Sequence, residues 1–280
     1  MRRIVHELVE QMLDTEASAL ADEPDGVHHH RTQVRRLRGT LAATRRLFEP
    51  GATDALSVSL SEWGGQLGEV RDAEVGVNIA EQALTEANVD DPAAWERLVF
   101  EPRAEYHRLH ARLIESSATP RAQRRERQLQ ALRTAPLAVE SDADAAEVFT
   151  RLLRREARRV RRAGRHIDGS MDAYHDLRKA GRRLRYVADA VSYAAPDLFG
   201  EAGIRLGKAG RRVHDVLGDH RDALMFAEIL ERQRSLALRA GEATLPYDRM
   251  IAHATARAEQ RLSKLERATK GVRKAAAALG

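Results

Sequence analysis

Apolar residues recur every three or four positions along nearly the whole chain, as in Leu8, Val9 and Met12 or Val34, Leu37 and Leu41. That period gathers a stripe on one face of an α-helix, whereas β-branched runs alternating at period two are nearly absent. The pattern predicts an all-α chain. Pro24, Pro50, Pro92, Pro120, Pro136, Pro196 and Pro246 fall where the runs start or stop. The missing proline N–H is harmless in a first helical turn. Pro102 fits no boundary. Between these breaks the expected helices are 1–20, 24–48, 54–67, 72–88, 92–116 and 120–133, then 142–168, 171–194, 200–217, 221–240 and 246–277.

The pattern is written twice. His28, Arg31, Arg35, Arg36, Leu37 and Arg38 line up with His175, Arg178, Arg182, Arg183, Leu184 and Arg185, each set reading His-x-x-Arg-x-x-x-Arg-Arg-Leu-Arg. About forty residues on, Leu67-Gly68-Glu69-Val70-Arg71-Asp72-Ala73 matches Leu217-Gly218-Asp219-His220-Arg221-Asp222-Ala223. Two motifs in one order at nearly one spacing point to a tandem duplication, with repeats of about 1–135 and 142–280. The acidic, proline-containing stretch 134–144 is the expected joint. Each half has enough helices for a four-helix bundle with an extra arm, and the halves are expected to pack with pseudo-twofold symmetry.

At about 100° per residue, His28, Arg31, Arg35 and Arg38 share an arc of roughly 80° on one helix face, with Val34, Leu37 and Leu41 to one side. His175, Arg178, Arg182 and Arg185 repeat the geometry. Like charges in a row repel, so the stripe lacks the alternating signs of a plain solvent face and implies an external polyanion. Successive steps rise by about 5 Å, close to the separation of phosphates on an extended chain, whose oxygens suit the guanidinium fork. Each His lies near a helix start, by Pro24 or by Ser170 as N-cap, where unpaired N–H groups favour an anion.

Leu-Gly-x-x-Arg-Asp-Ala reads as a tight helix–helix corner, with Gly68 and Gly218 closing one helix and Asp72 and Asp222 opening the next. Arg71 and Arg221 either pair with carboxylates or join the basic surface, two outcomes of equal weight. The two Asp residues have no clustered partner carboxylates in sequence, so no metal site is expected.

Composition narrows the function further. The net charge is a modest +5 in a chain that is 32% charged. Its cations are overwhelmingly arginine, which suits phosphate recognition but also follows from codon bias. Without cysteine there are no disulfides, thiolate metal sites or cysteine nucleophile, and a cytoplasmic home is expected. The first 20 residues lack the apolar run of a signal peptide, and no segment approaches a membrane span of about 20 apolar residues. Aromatics at 4% supply no stacking platform for bases.

The repeated His/Arg helix followed by Leu-Gly-x-x-Arg-Asp resembles the CHAD family, the conserved histidine α-helical domain, over nearly the whole chain. The resemblance implies two four-helical bundles related by a pseudo-twofold, a basic central surface that binds inorganic polyphosphate, no catalytic activity and no cofactor. Carried over position by position, it implicates His28, Arg31, Arg35, Arg36 and Arg38, then His175, Arg178, Lys179, Arg182, Arg183 and Arg185. Lys208, Arg211 and Arg212 would join them, and polyphosphate granules are a location that fits such binding.

Departures from the pattern carry their own expectations. Where the second half has Lys208, Arg211 and Arg212, the first has Val58, Ser61 and Glu62, so the halves should bind unequally. His29 and His30 replace an acidic or polar and an aliphatic residue, still present as Asp176 and Leu177. His30 then takes a packing role, and a metal site at His29 and His30 lacks further ligands. Many CHAD domains are joined to a CYTH triphosphatase module, but no Glu-x-Glu-x-Lys occurs here, so the chain reads as a stand-alone helical unit. The dense run Arg151, Arg154, Arg155, Arg158, Arg159, Arg161, Arg162 and Arg165 spans about 160° and is expected to face solvent, with an extension of the polyanion track as the alternative; Arg121, Arg124, Arg125 and Arg127 are read the same way.

The strongest rival is a sequence-nonspecific nucleic-acid binder, since phosphate contacts serve any polyanion. It is not preferred, because no base-reading device is visible. A polyphosphatase would need metal ligands or a nucleophile and base that cannot be assembled from the chain. A scaffold for acidic protein partners is the third reading.

Overall fold

The computed structural model describes residues 2–134, 144–194 and 196–279, and every regular element among them is helical. The first half contains α1 (Arg2–Asp14), α2 (Glu16–Leu20), α3 (Gly26–Thr44), α4 (Asp54–Glu86), α5 (Pro92–Trp95), α6 (Glu101–Ser117) and α7 (Pro120–Arg133). The second contains α8 (Ala145–Arg165), α9 (Met171–Ala194), α10 (Pro196–Arg239), α11 (Leu245–Leu262) and α12 (Leu265–Ala277). Capping explains several starts. Thr119 accepts from Ala122 N ahead of Pro120, Asp144 from Ala146 N, and Ser170 from Ala173 N, as expected of an N-cap. Pro102 is accommodated by a π-helical turn at Glu96–Phe100 just before α6, which shifts the carbonyl its ring would otherwise meet. The expected joint falls almost wholly on residues 135–143, which lie outside the described residues.

The two expected corners are absent. Gly68 lies inside the 33-residue α4, and Gly218 inside the 44-residue α10. Asp72 and Asp222 are therefore mid-helix, not helix-opening. The reason is the uninterrupted seam of buried Leu60, Trp63, Leu67, Val70 and Val77, continued in α10 as Leu206, Val213, Leu217, Ala227 and Leu230. Neither seam changes phase at its glycine, so packing holds the helix through it. By rise per residue these rods run about 50 and 66 Å.

Neighbours match between halves: α3 lies against α1 and α4 as α9 lies against α8 and α10, and α4 carries α6 and α7 as α10 carries α11 and α12. The halves meet where α3 crosses α9. There Gly39 admits the buried Tyr186 ring; a Cβ at Gly39 would sit 3.1 Å from Tyr186 Cδ2. One core cluster spans both halves, and a second, including Leu84, Val99, Phe226 and Tyr247, fills the far ends of α4 and α10.

Three polar residues of the interior overturn or sharpen sequence expectations. Glu156 on α8 is fully buried, with Arg155 Nε and Arg159 Nε each 3.4 Å away and Arg183 Nε at 2.9 Å. Arg183 also donates to Ala42 O at 2.9 Å, and Arg155 to Ala43 O, in the last turn of α3. Those carbonyls have no intrahelical partner and carry the negative end of the helix dipole. This is a clamp between halves, so Arg155 is not simply solvated. Arg125, also expected in solvent, is buried over the Trp63 ring at 4.1 Å and paired to Glu16 at 2.8 Å. His30 does take a core position. Its Nε2 accepts from Trp63 Nε1 at 2.8 Å and its Nδ1 lies 3.0 Å from Thr15 Oγ1, while burial, then the Arg125 charge, lowers its pKa to about 4. It is a neutral packing residue.

Candidate polyanion-binding site

Where α3 crosses α9, Arg31, Arg35 and Arg38 come from one side and Arg178 and Arg182 from the other. All five are half-buried. Their charges act on one another: Arg182 and Arg178 on Arg31, Arg31 and Arg178 on Arg35, and Arg35 and Arg38 on Arg182. The glycines of α4 and α10 leave room for the forks. A Cβ on Gly64 would lie 3.1 Å from Arg38 Nη1, one on Gly68 3.5 Å from Arg31 Nη2, and one on Gly218 4.0 Å from Arg178 Nη1. The Leu-Gly motif is thus a low ridge beside the arginines.

Few carboxylates answer these cations. Arg31 Nη2 pairs with Asp72 Oδ1 at 3.2 Å, and Arg38 donates to Ser61 Oγ at 2.9 Å. Arg35, Arg178 and Arg182 have neither an ion pair nor a hydrogen bond from the guanidinium among the described residues. Burial pulls every one of these guanidinium pKa values down, and for Arg35 burial, then Arg31, brings it to about 10. Each remains charged at neutral pH, in surroundings that disfavour the charge until an anion arrives.

The histidines flank this cluster. Partial desolvation, then Arg71, lowers the His28 pKa; desolvation, then Lys179, Arg178 and Arg221, lowers that of His175. An anion beside either ring would offset those cations and favour the protonated imidazole. The two outcomes left open for the second motif both occur. Arg71 pairs with Glu74 at 2.8 Å and Asp25 at 3.5 Å, whereas Arg221 forms no ion pair among the described residues and lines a hollow of about 260 Å³ with His175, Arg178 and His220. Free cations therefore concentrate in the second half.

Other candidates lie elsewhere. Arg183 belongs to the Glu156 clamp, and Arg36 turns toward α1, donating to Gln11 Oε1 at 2.9 Å. Lys179 is exposed toward α8, 3.7 Å from Asp176. Arg185 sits 3.7 Å from Asp189 with its fork 5.6 Å over the Tyr186 ring. On the exposed side of α10, Arg211 pairs with Asp215 at 3.3 Å, while Lys208 and Arg212 have no ion pair among the described residues. No cluster of three or more metal-binding side chains occurs among the described residues, and no helix there is long and apolar enough to cross a membrane.

The sequence matches the CHAD domain family over residues 3–231. The chain belongs to the CHAD family. Two Mycobacterium tuberculosis proteins, "Uncharacterized protein MT2285" of strain CDC 1551 and "Uncharacterized protein Rv2226" of strain H37Rv, are each 30% identical over 292 aligned residues, covering 98% of this chain and 53% of theirs. The CHAD chain thus spans about half the length of those relatives. Among solved structures, the CHAD domain from the plant Ricinus communis superposes with a TM-score of 0.71 at 20% identity, covering 97% of this chain and 90% of that one. PptA from Streptomyces chartreusis does so at 0.65 and 16%, covering 97% and 95%. At such identities these two likenesses establish the fold alone.

Two residues beside the arginine cluster of this CHAD chain were not singled out by the sequence. Tyr186 is buried between the crossing helices, and His214 on α10 holds Asp215 through Nδ1 at 3.2 Å while its Nε2 is buried without a protein partner. The charges of Arg178 and Arg182 reach His214. Its signal was positional: it precedes Gly218 by four residues and Arg221 by seven, on one helical face.

Proposed function

We propose that this CHAD protein binds inorganic polyphosphate, without turning it over, in the seat formed by Arg31, Arg35, Arg38, Arg178 and Arg182, flanked by His28 and His175. The observation that carries the reading is the convergence of Arg35, Arg178 and Arg182 from both halves, half-buried and with no ion pair among the described residues. Buried unpaired charge is costly, and a chain of linked phosphates relieves it with several charge-assisted hydrogen bonds at once. Guanidinium groups hold charge and donate hydrogen bonds but do not take up a proton at neutral pH, which favours binding over hydrolysis. The reading treats residues of about 1–135 and 142–280 as tandem copies related by a pseudo-twofold, and places the protein in the cytoplasm with polyphosphate granules.

Against the nucleic-acid reading, the Tyr186 ring is only 5% accessible and Tyr174, beside His175, is half-buried with its ring 5.5 Å from that of His220, so neither lies open as a stacking platform. Competition decides between them. Polyphosphate is expected to displace the protein from duplex DNA at a phosphate concentration at least tenfold lower than DNA requires to displace it from polyphosphate. Both complexes should weaken with salt. Equal displacement would favour nonspecific polyanion binding.

A further inference from the structure

Of the arginines on α8, Arg155 and Arg159 are drawn to Glu156, and Arg151 to Glu147. Arg162 lines a different hollow with Lys179 and Arg183, which leaves Arg154, Arg158, Arg161 and Arg165 within an arc of about 60°, rising about 16 Å along the helix. All four are exposed, and none has an ion pair or hydrogen bond from its side chain among the described residues. They line one wall of a groove of about 900 Å³ whose other wall is α12, which contributes Arg273. Its floor is apolar, with Val160 and Val272 buried, and no carboxylate among the described residues lines it.

This groove is not the central seat, since α8 packs on α9 and α12 while the seat lies where α9 meets α3. We propose that it is a second, outer lane for linear polyphosphate, engaged by the same chain that occupies the seat once the chain is long enough to reach both. The proposal rests on the polyphosphate reading of the seat. One fork per turn, repeated along the helix, suits a ligand of identical charged units, whereas a folded acidic protein presents carboxylates at irregular positions. A groove lined by arginine, alanine, valine, glycine and threonine has nothing that stacks on or reads a base. Its arginines are hydrated and screened, so the lane alone binds weakly; joined to the seat by one chain, it adds avidity.

The test replaces Arg154, Arg158, Arg161 and Arg165 together by Gln in the full chain, with helical content monitored, and titrates tripolyphosphate and long-chain polyphosphate separately. The expected result is unchanged affinity for tripolyphosphate and a loss of about tenfold or more for the long chain. The same four replacements are then made in a chain already carrying Arg31→Glu and Arg178→Glu, where they should abolish the residual long-chain binding. Unchanged long-chain affinity in both backgrounds overturns the second lane, whatever becomes of the seat. If only the four α8 replacements affect long-chain binding, and Arg31→Glu with Arg178→Glu does not, the lane stands and the seat fails. Loss of duplex DNA binding with long-chain polyphosphate binding intact also overturns the proposal, assigning the groove to nucleic acid.

Discussion

Replacing Arg31 and Arg178 together by Glu is expected to weaken tripolyphosphate binding by on the order of 100-fold or more, with helical content unchanged. Each reversal removes a fork from the seat and adds a charge that repels the ligand. Hydrogen bonds to charged groups contribute about 1.5–3 kcal/mol each, so two lost together reach that range. The carboxylate introduced at position 178 would also face Arg182 and Arg221, whose charges now act on Arg178, and would neutralise part of what remains. At position 31 it would face Asp72. Stability should change little, because removing the repulsion of Arg178 with Arg182 and Arg221 offsets the new repulsion between position 31 and the exposed Asp72, which solvent screens. Titration calorimetry of the double variant reads the binding, and circular dichroism the fold. Binding equal to that of the unaltered protein would remove the seat from these residues.

Glu156→Gln is expected to act on stability instead, costing on the order of 3 kcal/mol. The carboxylate is wholly buried and holds Arg155, Arg159 and Arg183, two of which also close the last turn of α3. Withdrawing its charge leaves three cations around a neutral group, and the clamp between halves loses its anchor. Arg159, at 53% side-chain exposure, can turn to water, whereas Arg183, at 23%, remains trapped against α3. Urea unfolding should show a lowered midpoint with little change in slope, the signature of lost stability without a change in the surface exposed. Tripolyphosphate affinity of the folded fraction should stay within about twofold, since Glu156 is not part of the seat. A midpoint unchanged by the substitution would show that the buried carboxylate does not hold the halves.

Helix placement was legible wherever capping chemistry was local. The expected spans 120–133 and 171–194 coincide with α7 and α9, because Thr119 with Pro120, and Ser170, mark their starts in the chain itself. Gly68 and Gly218 misled because glycine was read as punctuation, while the apolar seam on either side kept its phase and argued for one rod. Periodicity over several turns outweighs a single breaker. Helix geometry also separated the arginines that converge where α3 crosses α9 from those that do not. Arg36 and Arg183 lie about 100° from Arg35 and Arg182, so they were never on the stripe, and they entered through the family resemblance alone. What stayed hidden was tertiary. A sequence does not reveal that Glu156 is the residue that claims Arg183, or that Tyr186 and His214 close around arginines from other helices.

The most direct test is a crystal structure of the protein with tripolyphosphate. Phosphate oxygens should lie within hydrogen-bonding distance of the guanidinium groups of Arg35, Arg178 and Arg182, between α3 and α9. A ligand bound elsewhere with these three forks still empty, or the forks turned onto the protein's own carboxylates, would contradict the account.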